Sequence, residues 1–213
     1  MTPKGIHSRG YLPHWDFAKS VQAITFRLDD SLPAAVVKEW KMELKDLLES
    51  PDSSPKAKAE LHRRISRYED SGIGSCLLGT PEVAQIVQVE IISGHPSNYK
   101  LIEWCIMPNH VHVLIRLMPE SSLGNIVKNW KAVTAVKINR MLNRTGRLWM
   151  PDYHDRYIRD FDHFYDSKTY IRNNPVKAKL CEKPQDWAFS SAGIQWDANL
   201  TPQPGARDSS RPI

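Results

Sequence analysis

The sequence predicts an α+β domain in which one antiparallel sheet is covered by helices. The chain has 213 residues, of which 41% are hydrophobic and 25% charged, and this suits one globular core. Two apolar segments of strand character are joined by only Pro108 and Asn109, so they are expected to pair antiparallel. Segments with helical spacing of apolar residues lie before and after them. The expected order of elements is therefore that of a split β-α-β-β-α-β fold.

The elements of the first half are one strand and a helical insertion. Residues 1–19 are expected to be irregular, and residues 21–28 alternate in polarity as a strand does. Ser31 and Pro33 are typical of a helix start. In order, the sequence predicts a strand at 21–28, helices at 33–49 and 56–70, a glycine-rich loop at 71–79, and a helix at 80–92.

The second half supplies the other three strands and two more helices. Strands are predicted at 98–108 and 110–118, a helix from Ser121 or Ser122 to Leu142, an extended segment at 148–160, and a helix at 162–173. The apolar side of the helix that ends at Leu142 is expected to hold Leu123, Ile126, Val127, Trp130, Val133, Val136 and Ile138. Pro175 is expected to begin or kink the next turn.

The domain organisation follows from these elements. Residues 1–191 are predicted to form a single ferredoxin-like domain with a helical insertion around 33–79. Residues 192–213, rich in Pro, Ser and Arg at their end, are predicted to be a disordered tail. The sequence contains no run of 18 apolar residues and no signal-peptide layout, so we expect no membrane partner and a cytoplasmic location.

The charge of the chain is unevenly distributed. Residues 121–183 contain thirteen Lys or Arg and six Asp or Glu, a net charge of +7, although the whole chain carries only +5. Such a basic segment is typical of proteins that bind an acidic polymer, and it is also common on solvated helix faces. Three cysteines without metal-ligand spacing indicate reduced thiols rather than a disulfide framework.

Two histidines in the predicted strand at 110–118 are candidate metal ligands. His110 and His112 are two positions apart in a strand, so their side chains share one face, while Val111 points to the other. Two imidazoles in this arrangement can chelate one divalent cation. The alternative is a pair of surface histidines, which the apolar residues of the same strand disfavour.

A second candidate group lies in the predicted helix at 162–173 and just after it. Tyr170 and Asn174 are four residues apart, so they share a helix face. A tyrosine hydroxyl can act as a nucleophile, and an amide oxygen can bind a hard cation. The alternatives are a packing role for Tyr170, and for Asn174 the cap of a helix that Pro175 begins.

Several motifs resemble those of one protein family. The segments MPNHVHVLI at 107–115, YHDRYIRD at 153–160, YIRNNPVKAKL at 170–180 and DWAFSS at 186–191 resemble the REP-associated tyrosine transposases of the single-tyrosine HUH transposase superfamily. The resemblance implies that His110 and His112 are metal ligands, that Tyr170 is the nucleophile, and that Asn174 completes the metal site. Better-known members have glutamine at the position of Asn174.

The resemblance implies a metal-dependent endonuclease and strand transferase that acts on single-stranded or hairpin DNA. The cofactor is expected to be Mg²⁺ or Mn²⁺, with tighter binding of Mn²⁺ by imidazole, and Tyr170 would form a 5′-phosphotyrosine. No ATP is needed, and the sequence contains no GxxxxGK[ST] motif. Relatives can act as dimers, so both a monomer and a homodimer stay open. The competing functions are a catalytically idle nucleic-acid-binding domain and a metallohydrolase that uses water at the same histidines.

Basic residues around these motifs are candidate phosphate contacts. The predicted DNA-binding residues are Lys128, Lys131, Arg144, Arg147, Arg156, Arg159, Arg172 and Lys177. Trp149 and Tyr153 are candidates for stacking on unpaired bases, with core packing as the equally acceptable alternative. Trp187 and Phe189 are expected to dock the C-terminal segment onto the domain.

Overall fold

The computed structural model of the chain describes residues 5–8, 13–16, 20–46 and 54–196. The strands are β1 (Gly5–Ser8), β2 (Pro13–Asp16), β3 (Val21–Arg27), β4 (Tyr99–Ile106), β5 (His110–Leu117) and β6 (His154–Tyr157). The helices are α1 (Ala34–Glu43), α2 (Ser54–Asp70), α3 (Pro81–Ser93), α4 (Leu123–Met141) and α5 (Phe161–Lys177). None of the helices within these ranges is long and apolar enough to span a membrane.

The core of the fold is a four-stranded antiparallel sheet. Its strand order is β4-β5-β3-β6, and every neighbouring pair is antiparallel. Strand β5 therefore lies between β3 and β4, although it follows both of them in the chain, as the split β-α-β-β-α-β arrangement requires. The predicted α+β fold is confirmed.

Both faces of the sheet are covered, and the alternation along β5 separates them. Val111, Val113 and Ile115 pack into the larger hydrophobic cluster, which also contains residues of α3 and α4. Leu114 faces the other way and packs with Ile171 of α5 in a smaller cluster. Because side chains alternate along a strand, His110 and His112 lie on the same side as Leu114, which is the side of α5.

The buried stripe of α4 differs from the predicted one at two positions. Val136 is 69% exposed, whereas Thr134 is buried and accepts a hydrogen bond from Trp149 Nε1 at 2.9 Å. Thr134 lies four residues after Trp130 and four before Ile138, so it shares their buried helix face, whereas Val136 does not. Trp149 is itself buried and packs edge-on against Phe26.

Residues 1–19 were expected to be irregular, and this expectation is wrong for the two described ranges, 5–8 and 13–16. Strands β1 and β2 pair as an antiparallel two-stranded sheet, with Gly5 opposite Asp16. These four-residue strands are too short for a clear alternation of polarity, and the backbone pairing that forms them leaves little trace in the sequence.

Helix α5 is longer than predicted at both ends. It begins after Asp160, whose side chain accepts a hydrogen bond from the His163 N–H at 2.8 Å, as an N-cap does. It continues through Pro175 to Lys177. Pro175 is buried inside the helix, so the prediction that it begins a new turn is wrong, and Asn174 is not the cap of a following helix.

The helical insertion consists of α1 and α2, joined to each other by side-chain contacts. Trp40 of α1 packs edge-on against Tyr68 of α2, with 5.6 Å between the ring centroids. Arg64 of α2 forms an ion pair with Glu43 of α1 at 2.5 Å. The end of the predicted first helix, from residue 47, lies outside the described residues.

The C-terminal segment covers the outer edge of β4. The Ile106 N–H donates to the Phe189 carbonyl at 2.9 Å, and Trp187 Nε1 donates to the Ile106 carbonyl at 2.9 Å, so the expected docking of this segment is confirmed. Trp196 packs edge-on against Trp104, with 5.1 Å between the ring centroids. Residues 192–196 therefore belong to the domain and not to the predicted tail, whose remaining residues, 197–213, lie outside the described ones.

Candidate metal and tyrosine site

The two histidines of β5 converge on one point. His110 Nε2 and His112 Nε2 are 2.9 Å apart, and both rings are almost completely buried. Their shared face follows from the two-residue repeat of the strand. Two imidazole nitrogens directed at a common position are a suitable start for a cation site.

Neighbouring side chains fix the orientation of both rings. His110 Nδ1 lies 2.7 Å from Asn109 Oδ1, and His112 Nδ1 lies 2.8 Å from Thr25 Oγ1. Because an amide oxygen only accepts, His110 Nδ1 carries the proton and His110 Nε2 presents its lone pair. A second partner on Nδ1 is the usual way in which proteins orient a metal-binding histidine.

His110 is held in its neutral form. Burial, reinforced by the positive charges of Arg27 and Lys177, lowers the pKa of His110 to about 3. The neutral imidazole is the form that binds metal ions, since the imidazolium has no free lone pair.

Asn174 approaches the same point from α5. Its side chain is buried, its amide lies 3.2 Å from His112 Nε2, and its Oδ1 has no hydrogen-bond partner among the described residues. A buried amide oxygen without a partner is costly, and a cation beside it would remove that cost. A half-turn of the amide exchanges its two ends, so either atom can face His112.

These three side chains suit a small divalent cation. Two imidazole nitrogens and one amide oxygen form a mixed N and O donor set, which suits Mn²⁺ and, less strongly, Mg²⁺. Within the described ranges there is no group of three or more His, Cys, Asp or Glu that could hold a metal ion. Asn174 is therefore the candidate for a third protein ligand.

Tyr170 lies beside the histidines, one helical turn before Asn174. Its ring is edge-on to His112, with 5.4 Å between the centroids, and 38% of the residue is exposed. Lys177 Nζ lies 5.5 Å from the centre of the Tyr170 ring. The tyrosine is thus both close to the candidate cation site and open to a large substrate.

A cleft of about 1020 Å³ is lined by His112 and Tyr170 of this group. Its floor is formed by the sheet, where His112, Thr25 and His154 are cross-strand neighbours. Three of the predicted DNA-binding residues, Arg156, Arg159 and Lys177, line the cleft. Lys179, Arg63 and Arg67 also line it, and the two arginines of α2 were not among the predicted residues.

Four other predicted DNA-binding residues lie away from the cleft. Lys128 and Lys131 belong to α4, and Arg144 and Arg147 follow it. Helix α4 packs on the face of the sheet opposite to α5. Lys131 donates to the backbone carbonyls of Pro151 and Asp152 at 3.1 and 3.0 Å, and Arg147 lies 3.5 Å from Asp29.

The two aromatic candidates for base stacking are buried. Trp149 and Tyr153 are 4% and 8% exposed and belong to the larger core cluster. The core-packing alternative therefore applies to both residues.

Arg172 makes an ion pair that the sequence did not indicate. Its Nη2 lies 3.2 Å from Glu103 of β4, and Glu103 is buried. Glu103 also contacts Ser191 Oγ and, at 4.0 Å, Lys168 Nζ. This group ties α5, the helix of Tyr170, to β4 and to the C-terminal segment.

Sequence reasoning missed the side chains that support the site. Thr25 and Asn109 orient the histidine rings, and Glu103 holds α5. A polar residue in an apolar strand is the only signal for Glu103, and Asn109 had been assigned only to the turn. The partners of Thr25 and Glu103 lie 87 and 69 residues away in the chain, so local patterns do not reveal them.

The part of the chain that contains this site is similar to a known protein family. Residues 85–174, which include both histidines, Tyr170 and Asn174, match the profile of the family described as "Transposase IS200 like". The chain is 26% identical over 116 residues to a curated protein of Haemophilus influenzae whose name places it among the REP-associated tyrosine transposases. The matched part is 49% of this chain and spans only 65% of that relative.

A solved structure shows the same fold. It is described as a REP-associated tyrosine transposase bound to a REP hairpin, and it matches 97% of each chain with a TM-score of 0.51 and 12% sequence identity. Residues 85–174 are therefore similar in sequence to the IS200-like transposases, and the solved structure shows the fold that the chain shares. The chain is similar to the REP-associated tyrosine transposases in both comparisons, which confirms the resemblance drawn from its motifs.

Proposed function

We propose that this chain is a metal-dependent single-strand DNA endonuclease and strand transferase, which cleaves DNA through a covalent 5′-phosphotyrosine. The observation that carries the proposal is the contact between Tyr170 and His112, whose ring nitrogen converges with that of His110. The cleft around them is open and lined with arginine and lysine. A nucleophile, a candidate cation site and a binding surface for phosphates are thus combined in one place.

The proposed reaction exchanges one phosphoester bond for another. Tyr170 Oη attacks the scissile phosphorus and forms an O–P bond, while the bond from phosphorus to the 3′ oxygen breaks. Tyr170 gives up its proton, and the released 3′ oxygen takes one up. The number of phosphoester bonds is unchanged, so a later 3′-OH can reverse the step and rejoin DNA without ATP.

His110, His112 and Asn174 would hold Mg²⁺ or Mn²⁺. When bound there, the cation supplies stabilisation of the negative charge that develops on the phosphate oxygens. The protein residues keep the donor atoms in place: Asn109 and Thr25 fix the imidazoles, and α5 carries both Asn174 and Tyr170. One helix thereby sets the position of the nucleophile relative to the cation site.

The proposed partner is DNA with a single-stranded or hairpin form. The solved relative is described as bound to a REP hairpin, and we extend this kind of partner to the present chain by proposal. Tyr170 contacts His112 of its own chain, so the proposed reaction does not require a helix from a second copy.

Covalent capture of DNA distinguishes the possible functions. The protein is incubated with a single-stranded hairpin oligonucleotide labelled on its 3′ side and Mn²⁺, then denatured and separated by size. The proposal predicts a labelled protein–DNA adduct and a free 3′-OH fragment. Cleavage without an adduct would indicate a metallohydrolase that uses water, and binding without cleavage would indicate an idle DNA-binding domain; either result contradicts the proposal.

A further inference from the structure

The helical insertion contributes two arginines to the cleft of Tyr170. Arg63 and Arg67 lie four residues apart in α2, so they share one helix face, and both line the cleft. The sheet and α5 form the rest of the lining. Helix α2 therefore forms a wall of a cleft whose other residues come from distant parts of the sequence, about 40 to 115 positions away.

The charges of this cleft favour an anionic occupant. Its six Lys or Arg come from three separate parts of the chain, and three aspartates line it as well. One aspartate, Asp160, is engaged as the N-cap of α5 through the His163 N–H. The basic residues of the cleft are Arg63, Arg67, Arg156, Arg159, Lys177 and Lys179.

The positions of Arg63 and Arg67 lower the stability of α2 itself. Like charges at i and i+4 on one helix face destabilise the helix, and both arginines line the same cleft as the cations of the sheet and α5. Glu60 offsets the charge of Arg63, with 2.7 Å between Glu60 Oε2 and Arg63 Nε. Arg67 lies one turn further along the same face, in the last turn of α2.

We infer that the wall of α2 binds the phosphate backbone of the single-stranded segment next to the scissile phosphate, so that the strand passes between α2 and α5. This inference rests on the proposed function for the identity of the substrate. An arginine fork suits phosphate better than a lysine does, because it presents paired N–H donors. The insertion is thus part of the DNA-binding surface.

Salt dependence of DNA binding tests this wall. The variant R63Q/R67Q is made in the full chain that also carries Y170F, so that the DNA stays uncleaved. Binding of a fluorescent single-stranded oligonucleotide is followed by anisotropy at several salt concentrations with Mn²⁺ present. Each lost phosphate contact should reduce the slope of log affinity against log salt by about 0.7, so the double variant should lose about 1.4.

Matched variants distinguish the loss of a phosphate contact from the loss of positive charge elsewhere on α2. Lys56 is exposed on the same helix and does not line the cleft, so K56Q removes one positive charge, as R67Q does, and should leave the slope unchanged. R67Q alone should lower the slope by about 0.7, and it leaves the Arg63–Glu60 pair intact. If the double variant keeps the slope of the parent, the inference is overturned, whether or not its affinity for DNA is lower.

The result is independent of the chemistry at Tyr170. If the slope falls as expected but the wild-type chain forms no covalent adduct, the wall of α2 stands and the proposed function fails. If the adduct forms and the slope does not change, the proposed function stands and the inference that α2 binds phosphates is wrong. Melting curves of R67Q and K56Q, which should coincide with that of the parent, verify that the insertion remains folded.

Discussion

At the residue scale, Thr25 illustrates how the candidate cation site depends on a side chain that does not itself bind the cation. Its Oγ1 lies 2.8 Å from His112 Nδ1 and fixes the direction in which His112 Nε2 points. Loss of such a partner typically weakens metal binding by about 10- to 100-fold.

The substitution T25V keeps the shape of the side chain and removes the hydroxyl. We expect Mn²⁺ affinity, measured by calorimetric titration, to fall by about 10- to 100-fold. Thr80 is exposed and makes no side-chain cap hydrogen bond, so T80V is the control and should bind Mn²⁺ as the wild type does. Equal affinity of T25V and T80V would show that Thr25 does not orient the ligand.

Asn174 provides the second test at this scale. Because it lies inside α5 and is buried beside His112, we expect N174A to weaken Mn²⁺ binding and N174D to retain it, since a carboxylate is also a hard oxygen ligand. The adjacent Asn173 is exposed, and N173A should bind Mn²⁺ normally. Unchanged Mn²⁺ affinity in N174A would exclude Asn174 as a ligand.

At the scale of single elements, α5 depends on the buried carboxylate of Glu103. Arg172 is half exposed, and its guanidinium is engaged by Glu103 at 3.2 and 3.3 Å. The sequence predicted a DNA contact for Arg172, whereas the structure gives it a role in holding the tyrosine helix against β4. The two roles lead to different consequences when the charge is removed.

The substitution R172Q should lower the free energy of unfolding by about 1–3 kcal/mol, because Glu103 loses a charged partner while buried. It should leave the salt dependence of DNA binding unchanged. Arg159 lines the cleft, and R159Q should do the opposite, with normal stability and a slope lower by about 0.7. Urea unfolding and anisotropy titrations give the two quantities. A reduced slope in R172Q would show that Arg172 does contact DNA.

The elements also show what local sequence patterns can and cannot predict. The pairing of β4 and β5 followed from the short Pro-Asn connection, and the shared face of His110 and His112 followed from the strand repeat. The passage of α5 through Pro175 did not, because it goes with burial of Pro175 and Ile171 in the folded domain, which the local sequence does not reveal. Likewise, β1 and β2 pair through their backbones, which leaves no pattern of side chains.

At the scale of the whole molecule, the C-terminal segment protects the edge of the sheet. Trp196 packs against Trp104 and His95, and its Nε1 donates to the Leu101 carbonyl at 3.3 Å. An exposed edge strand is prone to pair with other chains, so this cover stabilises the fold and shields β4. Composition alone had suggested that the tail begins before this residue.

The substitution W196A should lower the free energy of unfolding by about 2 kcal/mol, less than the 3–5 kcal/mol typical of a fully buried tryptophan. Ile194 lies in the same segment and is 41% exposed, so I194A should have little effect. Urea unfolding curves provide both values. Equal stability of W196A and the wild type would show that the segment does not contribute to the domain.

The molecule as a whole brings together residues that are scattered in the sequence. The site combines β3, β5, β6 and α5 with two arginines of the insertion. His110, His112, Tyr170 and Asn174 were predicted from spacing and from the family resemblance. The supporting contacts were not, because they depend on strand neighbours such as Thr25 and His112 that only the folded sheet defines.

The most direct measurement of the central claim is the covalent adduct formed by tyrosine variants. Tyr165 is a second exposed tyrosine of α5, on a different side of the helix from the cleft, and it does not line the cleft. With labelled hairpin DNA and Mn²⁺, the wild type and Y165F should form equal amounts of a protein–DNA adduct, and Y170F should form none while binding the DNA normally. An adduct in Y170F, or its loss in Y165F alone, would contradict the assignment of Tyr170 as the nucleophile.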